Sequence, residues 1–300
     1  MTWIFYALIA PIFWSFSNFI DKYSLEKNVT NIFDFLFFSS IFGWLFLPIL
    51  VLVFGFPEFN TFSLLPISMG VLLVYSYGFY GKALEVGETS RVVILFKLIP
   101  VLTLAFGFLF LGQTLTFMQF LAFLLVLSGA LFVSIDKDIG GFKLYKGTYW
   151  LLCAIGLWSV MFLISDWTLT KISFGEFMVF DTLGTALAGP LLLLIPNVRR
   201  QVQEGWRNST KAKFGWFFAN NVTDLFGQMA MKKALSLAPA AGLVTVATQV
   251  QSIYVIALGV LLTIIFPQHI QEDISFKAVT GKLLGALVMF VGIYLLFAHT

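Results

Sequence analysis

The chain has 300 residues, 59% of them hydrophobic, 18% aromatic and 11% charged, with mean hydropathy +0.94 and formal net charge +3. Such a composition excludes a water-soluble domain and points to a polytopic, all-α membrane protein. The basic residues are scattered, with no basic run or aromatic-basic interleaving, so nucleic-acid binding is not supported.

Ten apolar segments follow one another, each close to the roughly 20 residues that cross a ~30 Å hydrocarbon core at about 1.5 Å per residue. The first covers 3–23, and its start, MTWIFYALIAPIFW, lacks the basic n-region of a signal peptide and reads as a transmembrane helix. It carries Trp14, Ser15, Ser17, Asn18 and Asp21. Asn18 and Asp21 share a face by their spacing, and Asp21, near the helix end, is expected to be solvated at the interface. The second segment covers 33–54. The third, 65–84, brings Tyr77 and Tyr80 onto one face, an arrangement that serves packing, an interfacial belt or substrate stacking.

The fourth segment, 91–111, contains Lys97 and Pro100. A charge near the bilayer centre costs about 2.5 to 3.5 kcal/mol even on the lenient insertion scale, so Lys97 is expected to face a cavity, with snorkelling to the headgroups as the alternative. Pro100 frees a carbonyl and kinks the segment, which neighbours or water must then satisfy. The fifth segment, 117–135, ends in SGALFV and is followed by a polar linker, 136–145. That linker separates two halves, 1–137 and 146–300.

The sixth and seventh segments cover 148–169 and 176–196. The loop NVRRQVQEGWRNSTKAK then places Val198, Val202 and Trp206 at i, i+4 and i+8 among arginines, the pattern of a short amphipathic helix in the headgroup region. The eighth segment, 214–237, is the most polar, with Asn220, Asn221, Thr223, Asp224 and Gln228. Asn221, Asp224 and Gln228 fall on one helical face. The ninth, 241–266, adds Thr245, Thr248, Gln249 and Ser252, and the tenth covers 277–298. Polar groups at depth also act as interhelical glue, but as a set these imply a wetted cavity. The sequon at Asn221 lies at membrane depth, and those at Asn28 and Asn208 are equally weak as glycan sites.

The halves resemble each other. Trp14-Ser15 recurs as Trp158-Ser159, a shift of 158 − 14 = 144, and Lys82-Ala83-Leu84 recurs as Lys233-Ala234-Leu235, a shift of 233 − 82 = 151. Five helices per copy force the copies into opposite senses across the membrane. The chain is therefore expected to be an inverted five-plus-five repeat, with a substrate site near the midplane.

Catalytic alternatives find little support. Cys153 is the single cysteine, His269 and His299 are the only histidines, and no GxSxG elbow occurs. No metal or other cofactor is expected, and an intramembrane enzyme or a structural membrane protein is the reading of another class.

The stretch from Tyr80 to Val133 resembles the EamA-like branch of the drug/metabolite transporter superfamily. The resemblance rests on Tyr80, Ala83 and Leu84 at a helix end, on Pro100, and on Phe110, Leu111, Gly112, Leu115, Thr116 and Gln119, with Trp14-Ser15 and Trp158-Ser159 as first-helix signatures. It implies a secondary transporter whose cavity is formed by the first, third, fourth, sixth, eighth and ninth helices. The chain departs from the pattern in Gln113, in Gln251 where the first copy has Pro100, in the inserted PQHIQEDI and in Lys97.

The expected function is proton-coupled or exchange transport, an export of a small polar metabolite such as an amino acid, with sugar-phosphate or nucleotide-sugar exchange as the rival. The candidate substrate-binding residues are Lys97, Asn221, Asp224, Gln228, Tyr80, Trp14, Asn18, Trp158, Thr248 and Gln249, with Asp224 also the proton-coupling candidate. Lys97 and Asp224 are expected to balance each other across one cavity, because an isolated buried charge is far costlier than a paired one. The lipid bilayer is the expected environment, in a plasma (inner) membrane, with a monomer sufficient. Basic residues concentrate beside the odd-numbered loops, which places both termini on the non-cytoplasmic side by the positive-inside rule.

Overall fold

The computed structural model describes residues 2–111, 117–134, 146–238, 244, 247–268, 270 and 272–298. Among them the regular structure is helical: α1 (Thr2–Lys27), α2 (Ile32–Ile41), α3 (Gly43–Phe54), a 3-10 turn (Thr61–Ser63), α4 (Leu64–Val86), α5 (Thr89–Leu95), α6 (Leu98–Leu111), α7 (Phe117–Ser134), α8 (Thr148–Leu169), α9 (Phe174–Leu192), α10 (Pro196–Arg207), α11 (Lys211–Leu237), α12 (Gln251–Ile265) and α13 (Phe276–Ala298). Gly112, Gln113, Leu115, Thr116, Thr245 and His269 lie outside the described residues.

Among the described residues five stretches are long and apolar enough to cross a membrane, namely Thr2–Lys27, Ile32–Phe54, Thr61–Val86, Thr148–Leu169 and Phe276–Leu295. A sixth arises if Phe174–Leu192 and Pro196–Arg207, bent by 102°, count as one. The sequence expects ten, and the difference has physical causes. The fourth apolar segment is divided at Phe96 and Lys97 into helices of 7 and 14 residues. The described helix of the ninth is 15 residues long, and α11 carries polar groups along much of its length.

The division of the fourth segment follows from Pro100. It sits in the first turn of α6, where a missing N–H is tolerated, and it removes the donor that would otherwise satisfy the Phe96 carbonyl. The Ile99 N–H takes that place at 2.9 Å.

α1 runs along α11 and α8 along α4, while α9 packs on α2, α3 and α4, and α7 pairs with α13. The α4–α9 crossing depends on two glycines. A Cβ on Gly70 would meet the Asp181 carbonyl oxygen, and one on Gly184 would meet that of Ile67. Small residues are what permit helices to approach so closely inside a membrane.

α10 forms where the pattern of Val198, Val202 and Trp206 predicts. Pro196 opens it, Val198 and Val202 are buried, and the Trp206 ring stacks on Phe38 of α2 at 5.7 Å. The apolar face thus packs on protein. Beside it, the Lys213 ammonium donates to both Asp34 carboxylate oxygens at 2.7 Å and to the Gly205 carbonyl at 3.2 Å. Asp34 is 0% exposed and Lys213 2%. A Cβ at position 205 would strike that carboxylate, so glycine is required for α10 to close over the pair.

A second charged clamp joins the α4–α5 turn to α13. Lys282 donates to Glu88 and to Glu272 at 3.0 Å, while Ser90 donates to Glu272 through its backbone at 3.2 Å and through its hydroxyl. Glu272, from the inserted stretch, is thereby tied to α5 and α13. Burial pushes the Glu88 carboxyl up, but the Lys282 ammonium bonded to it more than reverses this and leaves it below the ordinary carboxylate value. Its stabilising contribution is complete at neutral pH and is lost as the pH falls through that lowered value. Burial, opposed by Lys282, holds the Glu272 carboxyl above its ordinary value, so this group takes up a proton first. Acidification through the lowered Glu88 value is expected to lower the unfolding temperature through loss of the Glu88–Lys282 bond, a loss that proton uptake by Glu272 opposes, and to do so less in Lys282→Met, as differential scanning fluorimetry across the carboxylate range would register.

Candidate functional site

A cavity of about 200 Å³ opens between α1, α4, the α5–α6 junction, α8, α11 and residues 248–252. Nine of the ten residues singled out in the sequence line it: Trp14, Asn18, Tyr80, Trp158, Asn221, Asp224, Gln228, Thr248 and Gln249. The face of α11 at Asn221, Asp224 and Gln228 is presented to it as the helical period requires.

Lys97 is the exception. It is 2% exposed, its ammonium donates to the Gln249 backbone carbonyl at 2.9 Å, and it stands 5.4 Å above the Phe290 ring of α13. It is not among the lining residues. Asp224 meets other groups: its Oδ2 accepts from the Tyr77 hydroxyl at 2.8 Å, with Gln228 and Trp14 beside the carboxylate. The expected Lys97–Asp224 balance is thus not formed. The interruption of the helix at Phe96 and Lys97 places the lysine against the carbonyl at the start of α12, and that oxygen is its hydrogen-bond acceptor.

Asp21 also departs from expectation. α1 continues to Lys27, so Asp21 lies inside the helix, is 7% exposed and lines the cavity. It accepts from Asn220 Nδ2 at 2.6 Å, and Asn220 Oδ1 accepts from Ser17 at 2.8 Å. On the adjoining wall, Gln251 Nε2 donates to Asn18 Oδ1 at 3.0 Å, and Asn18 Nδ2 donates to the Tyr80 hydroxyl at 2.7 Å. Gln251, a departure from the family pattern in the sequence, is thereby part of the site.

Aromatic rings form much of the remaining wall. Trp158 lies 5.8 Å from Tyr80 and 5.0 Å from Phe96 between ring centroids, and its indole N–H donates to Ser76 at 2.7 Å. Among the described residues the cationic side chain lining the cavity is Lys232, near the end of the eighth segment, which is not among the sequence-derived site residues. It donates to Ser165 at 2.6 Å and stands 4.9 Å above the Phe177 ring. The signal that finds it is the step of four from Asp224 through Gln228 to Lys232 along one face of α11.

Two carboxylates, six side-chain amides and several aromatic faces around one pocket are suited to recognising an ammonium-bearing solute, through charge-assisted hydrogen bonds and cation–π contact. Among the described residues no group of three or more His, Cys, Asp or Glu side chains is placed to hold a metal ion.

Apolar helices of spanning length around a polar cavity are the build of a multi-pass membrane protein. Residues 1–135 match the model of the EamA-like transporter family, consistent with the drug/metabolite transporter superfamily. No curated protein matches the chain. A solved structure, described as the crystal structure of a protein, aligns with TM-score 0.60 over 99% of this chain and 97% of its own at 14% identity. That likeness is one of fold.

Proposed function

We propose that the protein is a secondary transporter that exports a small polar metabolite bearing an ammonium group, such as an amino acid, by proton coupling or exchange. The observation that carries the reading is the placement of Asp21 and Asp224, from α1 and α11, in the wall of one aromatic-lined cavity. Both carboxylates accept hydrogen bonds from neutral donors but have no ion-pair partner among the described residues, and a buried charge without a counter-charge is costly, which favours a ligand that brings the opposite charge. Asp224 is the proton-coupling candidate. Trp14, Asn18, Tyr80, Trp158, Asn221, Gln228, Thr248 and Gln249 surround the solute, and Lys97 supports the wall from behind. Lys232 supplies a pole for the solute's carboxylate.

The rival sugar-phosphate or nucleotide-sugar exchanger fits the cavity less well. Phosphate attracts several donors, whereas among the described lining residues a single ammonium, Lys232, accompanies two carboxylates. Catalysis is disfavoured by the match of residues 1–135 to a transporter family.

The reading includes ten spans in an inverted five-plus-five repeat, in a plasma (inner) membrane. Its support is in the packing pairs. α1 packs on α11 and α8 on α4, the pairs that such a repeat would relate, as do α12 on α1 and α6 on α8. Trp14 and Trp158, matched by the repeat, both reach the cavity.

The test is a screen of L-amino acids and other small ammonium-bearing metabolites against the purified protein by thermal unfolding. A ligand that binds the native state alone raises the unfolding temperature with its concentration. Saturable stabilisation by at least one ammonium-bearing solute is expected. Stabilisation confined to phosphorylated sugars would favour the rival.

A further inference from the structure

Beside the main cavity lies a second one of about 40 Å³, enclosed by α2, α3, α4, α9 and α11. Its polar lining comprises Asp181, Thr182 and Thr185 from α9, Asn221, Asp224 and Gln228 from α11, Ser39 from α2 and Tyr77 from α4. Asp181 is 6% exposed. Among the described residues no hydrogen bond or ion pair reaches its carboxylate, although Lys232 and Asp224 are near enough to act on it electrostatically.

Three of the neighbouring groups commit their protons elsewhere, while Tyr77 and Gln228 direct theirs to Asp224. Ser39 donates its hydroxyl to the Phe35 carbonyl at 2.9 Å, and Thr185 donates to the Asp181 carbonyl at 3.1 Å. Asn221 directs its amide nitrogen to the Phe38 and Phe217 carbonyls at 3.3 and 2.8 Å. Ser39, Thr185 and Asn221 therefore offer the pocket oxygen lone pairs and no hydrogens. An enclosure of carboxylate, amide and hydroxyl oxygens acting as acceptors is matched to a hard cation. A single water needs about 10 to 15 Å³ of such space, so this pocket accommodates a small ion with a water or two. With two carboxylates and the Lys232 ammonium nearby, a single positive charge leaves the site close to neutral.

We propose that this side pocket binds a sodium-sized monovalent cation, held by Asp181 with Asn221, Thr185, Ser39 and Asp224. Asp224 lines both cavities, so occupancy of the side pocket bears directly on the carboxylate that faces the solute. The coupling role rests on the transporter reading; the binding does not, and it is measured without flux.

The experiment is thermal unfolding of the purified full-length protein in choline chloride, with sodium, potassium or more choline added at constant ionic strength. Sodium is expected to raise the unfolding temperature saturably where potassium and choline do not. Asp181→Asn and Thr185→Val are each expected to raise the half-saturating sodium concentration at least about tenfold. Asp166→Asn, on α8 and outside both cavities, is expected to leave it unchanged. Equal responses to all three salts would overturn the site, as would a sodium response retained in both pocket variants. An unfolding temperature that ignores sodium and answers only to pH would also overturn it, leaving a proton in its place. Sodium binding without any transported solute would leave the site standing while the transporter reading failed.

Discussion

Lys213→Ala is expected to destabilise the protein by about 3 to 5 kcal/mol, the cost of removing one partner of a buried ion pair and leaving the other uncompensated. Lys213 holds both oxygens of Asp34 at 2.7 Å, with the two side chains 2% and 0% exposed. The stranded carboxylate would keep the Thr30 N–H at 3.0 Å and lose its counter-charge. An exposed pair would cost no more than about 1 kcal/mol, so the size of the loss separates a buried latch from a surface contact. The double replacement Asp34→Leu with Lys213→Met is expected to recover most of the stability, because a well-packed apolar pair often matches a buried salt bridge. Reversible unfolding in mixed detergent would measure the cycle. Equal losses in the single and double variants would show that the position matters through shape alone.

Asp224→Asn is expected to weaken solute binding about 10- to 100-fold. Hydrogen bonds to a charged group contribute about 1.5 to 3 kcal/mol, and each 1.4 kcal/mol is a factor of ten in affinity. The amide keeps the shape and can still meet the Tyr77 hydroxyl, which donates to Oδ2 at 2.8 Å, so folding is expected to survive. The readout is the half-saturating concentration of the stabilising solute, compared at several pH values. Lys97→Gln serves as the contrast. Its ammonium is spent on the Gln249 carbonyl, so its replacement is expected to lower the unfolding temperature while altering affinity less than Asp224→Asn. Unchanged affinity in Asp224→Asn together with lost affinity in Lys97→Gln would reverse the assignment of the two groups.

The repeat of Trp14 in Trp158 and the polar period of the eighth segment were legible because both are properties of spacing. A helix that keeps its period puts Asn221, Asp224 and Gln228 on one side whatever its neighbours do. Lys97 was misread because the helix around it stops. Once Pro100 forces an interruption, periodicity no longer fixes where residue 97 points, and hydrogen bonding to the Gln249 carbonyl decides. Asp21 was misplaced by a boundary: a segment ending at Tyr23 makes it terminal, whereas a helix continuing to Lys27 makes it internal. Asp181 has only Thr182 beside it and Thr185 one turn on in an otherwise apolar part of α9, a pattern that interhelical packing also produces. Its environment is created by Gly70 and Gly184, which let α4 and α9 close on it, and that approach is a tertiary property.

The most direct test of the cavity as a transport pathway is uptake by proteoliposomes of the ammonium-bearing solute that stabilises the protein best. Saturable uptake is predicted, above that of protein-free liposomes and reduced in Asp224→Asn in proportion to its lost affinity. Uptake no greater than in protein-free liposomes, with the solute bound and the protein folded, would contradict it.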